Sequence, residues 1–267
     1  MKLVLDRYNA AAIHGRLADA GVLRVLEERG FTALRVAVET VAGAPVPHVR
    51  LYGRKGGVRH LLLDAILLQT SIPPEFFARR GYTMERPMDL LVVYWLQEED
   101  PTAAFSPDRP ALPLQRHPGL GVLRRAFTAV VGMARHLGKD GVASLPKFFH
   151  DAAIFFHSRL FLFLDPVEQG RFEALARDLG ALPLGDASLA IVGGCVRDAD
   201  ERITRWQPGF LILPLSQAFA AYFHAPDYAA AAADAFAGAR FRCDAAGLAE
   251  IRATLGDVRP SQEEHAS

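Results

Sequence analysis

The residues of this chain best suited to chemistry are Gln115-Arg116-His117-Pro118-Gly119-Leu120-Gly121. They lead into Leu120, Leu123, Phe127, Val130, Val131, Ala134 and Leu137, which recur at helical spacing. A glycine-bearing turn at a helix start directs backbone N–H groups outward, and the helix dipole adds positive partial charge there. That combination attracts an anion, usually a phosphate, and the missing Cβ lets the anion approach closely. Glu98, Glu99 and Asp100 close the apolar stretch 90–96. A carboxylate in that position can take a proton from an amine, directly or through water. Clustered charges also mark a solvated strand end, and Glu39 shares both readings.

Other groupings point elsewhere. His150, Asp151 and His157 invite a metal reading, but the histidines are seven residues apart on one helical face, about 10 Å along the axis, too far for one metal ion without a bend. No metal is expected. Cys195 and Cys243 form no CxxC pair, and nothing beside Cys195 would lower a thiol pKa. Ser144 and Ser188 carry no motif. Neither a GxSxG elbow, a Walker loop nor an HExxH pair occurs. Phe148, Phe149, Phe155, Phe156, Phe161 and Phe163 are expected in the core, because large aromatics dominate packing. Arg54, Lys55 and Arg59 mark a charged hairpin tip.

Positioning such groups requires a folded scaffold, and 267 residues with 51% hydrophobic and 22% charged side chains can build one. Lys+Arg and Asp+Glu both number 30, so the basic excess of a nucleic-acid partner is missing. The first residues lack the apolar core of a signal peptide, and the longest dense apolar run, 90–96, is far short of a membrane span. These features predict a cytoplasmic protein without a membrane partner. A homodimer stays open.

Periodicity predicts a helix over 9–29 and strands over 34–40, 48–53 and 58–68. A central strand over 89–97 follows, apolar on both faces. Pro101, Pro107, Pro110, Pro113 and Pro118 then impose an extended connection. A helix over 119–137 ends at Gly138. Next come a strand at 142–145, a helix at 149–158, a strand at 160–164 and a helix to about 179, opened by Asp165-Pro166-Val167-Glu168. A hairpin is expected over 189–206, a strand at 210–215, and helices over 228–239 and 244–255. This order predicts an α/β (α+β) fold with a mixed central sheet flanked by helices. It divides into a domain of residues 1–180 and a C-terminal extension, 181–267, packed on it.

Arg116-His117-Pro118-Gly119-Leu120-Gly121 resembles the Arg/Gln-x-x-Gly-x-Gly/Ala motif of the GNAT superfamily of acyl-CoA N-acyltransferases. The resemblance rests on these six residues and on the element order over roughly 9–165. It implies that Arg116, His117, Gly119, Leu120 and Gly121 hold the pyrophosphate of acetyl-CoA or another acyl-CoA. It implies direct attack of a small-molecule or protein amine on the thioester, with Glu98 or Glu99 as base. Where the family often carries a tyrosine acid, this chain has Phe156 and His157, and His157 can donate a proton. Pro118 lacks an N–H inside the motif. That departure and the missing tyrosine keep an alternative open, a non-catalytic binding or assembly protein on the same scaffold.

Overall fold

The computed structural model describes residues 3–40, 46–106, 111–113, 115–158 and 160–257. Its centre is β4 (Met88–Glu98), whose Leu90 and Leu91 are both fully buried although they point to opposite faces. A strand that is apolar on both faces must be covered on both, and this one is. Leu91 and Val93 join Val142 and Leu211 in one core with Ile13, Leu17, Phe127 and Ala152. Leu90 and Val92 join Ala143 and Ile212 in a second core with Phe77, Phe219 and Tyr222.

The seven-stranded sheet is mixed, in the order β1-β2-β3-β4-β5-β8-β6. β1 (Thr32–Glu39), β2 (His48–Lys55), β3 (Val58–Ile72) and β4 form an antiparallel meander. β5 (Gly141–Ser144) runs parallel to β4, and the crossover between them carries α4 (Leu123–His136). β8 (Leu211–Pro214) lies between β5 and β6 (Leu162–Phe163), antiparallel to both.

Helices cover the faces. α1 (Ala10–Asp19), α2 (Val22–Glu28), α4 and α5 (Phe149–His157) pack on the first core. The short α3 (Pro74–Ala78) and α8 (Gln217–Phe223) pack on the second. α6 (Pro166–Asp178) crosses α9 (Pro226–Gly238), while β7 (Val196–Asp198) and β9 (Phe241–Cys243) form a small separate ladder. The described chain ends with α10 (Ala245–Asp257).

Most expected elements are present, and the differences have local causes. The first helix is two, broken at Gly21, which has φ +75°. α4 starts at Leu123 rather than Gly119, because Gly121 is left-handed at φ +68°. Of the hairpin expected over 189–206, the turn around Asp198-Ala199-Asp200 forms, with Arg197 bridged antiparallel to Ile203, but its first arm is corrected. α7 (Leu184–Val192) is a helix, burying Ala187, Ser188, Ala190 and Ile191 against α5, and only Val196–Asp198 is a strand. The apolar run 189–192 fits either period, and packing decided it. Pro107 and Pro110 of the connection, part of the turn at 43–47 and the tail beyond 257 lie outside the described residues. Within residues 181–257, β8 lies in the main sheet between β5 and β6, and Leu248 belongs to the first core.

Asp140 locks the sheet centre. Its carboxylate accepts from both Arg86 terminal nitrogens (2.8 and 2.7 Å) and from the Asp89 N–H (2.9 Å). Its carbonyl accepts from the Leu215 and Ser216 N–H groups. One residue thereby ties the starts of β4 and β5 to the end of β8.

A glycine also sets the α6–α9 crossing. A Cβ on Gly170 would run into the Ala232 carbonyl and lie 2.8 Å from the Ala235 methyl. Gly170→Ala is expected to destabilise the fold by about 3 kcal/mol, because two backbones must separate. Urea denaturation measures this, and a loss near zero would contradict the crossing.

Candidate functional site

β4 outruns its parallel partner. Pairing with β5 stops at Val93↔Ser144, whereas β4 continues to Glu98. At the same point β4 carries a bulge. Ile66 pairs with Trp95 and Leu67 with Val93, which leaves Tyr94 as the extra residue. A bulge bends a strand and sharpens its twist, so β4 leaves the line of β5 here. Beyond β5 the chain turns away through Leu145, Pro146 and Lys147, and Trp206 Nε1 donates to the Pro146 carbonyl at 3.0 Å. The divergence opens a cleft of about 240 Å³ between the end of β4 and the start of α5. Gly119 and Leu123 border it from the α4 side, and Ile154 and Phe155 from α5.

The walls are mostly apolar, with polar groups at a few points. The Lys147 ammonium lies 4.4 Å from the Trp95 ring centroid and 5.6 Å from that of Tyr94. Such contacts hold a cation beside aromatic faces while its charge stays at the opening. Asp151 and His150 line the opposite wall.

The glycine turn is arranged around an anion, and that anion is internal. The Val122 N–H donates to Glu98 Oε2 at 3.2 Å, and the Leu120 and Gly121 amides lie close enough to favour the charged carboxylate. A Cβ on Gly119 would sit 3.3 Å from Glu98 Oε1, so glycine lets the carboxylate nest there. Burial raises the Glu98 pKa above the ordinary carboxylate value, opposed by the three amides and by the Arg29 charge. Asp100, beside it, is held low. Burial pushes it up, but Thr102 hydrogen bonds and the Lys55 and Arg29 charges outweigh that.

The other expected residues are dispersed. Glu99 lines the cleft, and its Oε1 accepts the Arg116 N–H at 3.3 Å. Arg116 is exposed and His117 half-buried, while Leu120 is fully buried, so only its amide can serve a ligand. His157 does not line the cleft. It ends α5, with Nδ1 2.6 Å from the Ala153 carbonyl.

A cluster absent from the expected set lies in the cleft wall. His150 is buried, its Nδ1 2.8 Å from Ser188 Oγ and its Nε2 3.3 Å from Asp151 Oδ1. The His150-Asp151 pair was visible as a dipeptide, but Ser188 is 38 positions away on α7. No linear motif signals that meeting. Among the described residues, no three His, Cys, Asp or Glu side chains converge as a metal site, and no helix is long and apolar enough to cross a membrane.

No protein-family model matches the chain, and no curated protein matches it. The class defined by fold and site is therefore a mixed α/β sheet with a cleft at its diverging parallel strands.

Proposed function

We propose that this cleft receives the pantetheine arm of an acyl-CoA and that the protein is a divergent N-acyltransferase of the GNAT type. The observation that carries the proposal is the divergence of β4 from β5 beside the Gly119–Gly121 turn. In the family that the six-residue motif resembles, the arm enters such a split. A narrow apolar slot suits a chain that is mostly methylene and amide. Beyond Val93, where its pairing with β5 ends, the β4 edge at Trp95–Gln97 pairs with no further strand among the described residues and would supply backbone groups for the amides. The acceptor would be an amine, attacking the thioester directly, with much of the acceleration from proximity.

A second reading has its own support. Glu98 already lies against the three amides that would bind pyrophosphate. A turn filled by its own carboxylate suits a scaffold that binds a partner without catalysis.

Ligand linkage separates the two. Millimolar acetyl-CoA, or pantetheine itself, is expected to raise Tm by several degrees if Kd is about 10–100 μM. Ile154→Trp, at a side chain 38% exposed on the cleft wall, is expected to abolish that shift and leave the unliganded Tm nearly unchanged. No shift with either ligand, or equal shifts in both proteins, would remove the acyl-CoA reading and leave the scaffold.

A further inference from the structure

We propose that Asp151 is the general base of the cleft, positioned by His150, which is in turn anchored by Ser188. The inference rests on the acyl-CoA reading above and names the group that would take the acceptor's proton.

Three observations carry it. First, Asp151 lines the cleft with its side chain 36% exposed, whereas His150 is 6% exposed and Ser188 fully buried. The order from cleft to interior is carboxylate, imidazole, hydroxyl. The hydroxyl lies behind the ring, so Ser188 is no nucleophile. It fixes the imidazole through the 2.8 Å contact to Nδ1.

Second, the bonding is consistent along the chain of groups. Ser188 Oγ hydrogen-bonds Nδ1, and the other ring nitrogen, Nε2, lies 3.3 Å from Asp151 Oδ1. With Ser188 as the donor, the neutral ring carries its proton on Nε2, beside the carboxylate. The imidazole also stacks on Phe148, with centroids 5.3 Å apart and rings 3° from parallel. Asp151 Oδ2 accepts the Phe148 N–H at 3.1 Å. The carboxylate is thus held by the Phe148 N–H on the first turn of a helix, with the imidazole against its other oxygen.

Third, the other carboxylates are less free to act. Glu98 lies against three amides, and Glu99 accepts from Arg116. Lys147 from the loop after β5 is the charged group beside Asp151, and Glu98 at the end of β4 and Glu99 just beyond it line the same cleft. α7 offers only the neutral Ser188 to this cluster. Burial pushes Asp151 up and keeps His150 neutral, so the base is stronger than an ordinary aspartate.

The step balances without a further reactant. The amine nitrogen bonds the acetyl carbon, and the carbon–sulfur bond breaks with its electron pair on sulfur. Asp151 takes the nitrogen's proton and releases it to the thiolate through solvent, so CoA leaves as the thiol.

The test measures acetyl-CoA binding by calorimetry, and thiol release from acetyl-CoA with a panel of primary amines. Asp151→Asn, which keeps the Phe148 acceptor, is expected to lower kcat about 100-fold with KM for acetyl-CoA within about twofold. His150→Ala removes the imidazole whose charge favours the ionised carboxylate, so the acidic limb of its pH–rate profile is expected to move to higher pH. His150→Gln, with an amide N–H to offer, should partly restore it. A structural role alone would lower the rate without moving the limb. Wild-type binding together with unchanged turnover in Asp151→Asn overturns the assignment. So does binding with no thiol release above the uncatalysed rate. Failure of wild type to bind acetyl-CoA instead overturns the reading beneath it.

Discussion

Glu98→Ala is expected to tighten CoA binding roughly tenfold, because a ligand phosphate no longer has to displace a carboxylate from the turn. In the wild type, Glu98 accepts the Val122 N–H and lies against the Leu120 and Gly121 amides, so an incoming phosphate meets a like charge. Removing the carboxylate leaves three donors at a turn suited to an anion. The same contest sets a pH dependence. Burial raises the Glu98 pKa, so the carboxylate gains its proton at a higher pH than an exposed glutamate. Once neutral it holds the amides less firmly and repels nothing. Wild-type affinity for CoA should therefore rise, relative to the variant, as pH falls from neutral toward the raised Glu98 pKa. The 3′-phosphate of CoA titrates equally with both proteins, so the difference between them isolates Glu98. Calorimetric titrations at several pH values measure this. Equal affinities and parallel pH curves would mean that the turn does not meet the phosphates.

Asp140→Ala should cost about 3 kcal/mol of folding stability in urea denaturation at neutral pH. The Asp140 side chain is only 3% exposed, and its loss strands the Asp89 N–H together with the Arg86 guanidinium. Arg86 is 58% exposed and can turn to water, so most of the cost falls on the buried amide and the broken junction. The sign of the pH effect follows from the pKa. Burial raises Asp140, but the Arg86, Asp89 and Ser216 hydrogen bonds outweigh it and hold the folded value below the ordinary one. Its contribution is fully present above the unfolded value of about 3.9 and is lost as pH falls through the lower folded value. The gap between variant and wild type should then be constant from about pH 5 to 8 and shrink below about 4. A gap that widened in acid would contradict the pairing.

The two variants test different links. Asp140 holds β4, β5 and β8 together at the closed end of the sheet, and Glu98 sits where β4 has already parted from β5. Disturbing Asp140 should weaken the frame, whereas disturbing Glu98 should change what the frame accepts.

Much of the frame was legible in the residue pattern. The doubly apolar run of β4, the glycine stop after α4, and the Asp165-Pro166 start of α6 each follow from local physics. The Asp165 cap is made as expected, its Oδ1 accepting the Val167 N–H at 2.8 Å. Less local features were not legible. The run 189–192 suits strand and helix alike, and contact with α5 made it helical. β8 entered the main sheet between β5 and β6, although it lies 67 residues after β5 in the chain (Ser144 to Leu211).

The candidate site divides the same way. The sequence alone determined a glycine turn before an amphipathic helix, three acidic residues after a central strand, and a His-Asp pair opening the next helix. These depend on neighbours within a few positions, where spacing and turn chemistry suffice. Tertiary structure decided that the Glu98 carboxylate rests on the turn, that β4 bends away from β5 at Tyr94, and that Ser188 anchors His150. The reason is physical. Which donor meets which acceptor across a core depends on strand length, register and helix packing, and those are set by the whole chain at once.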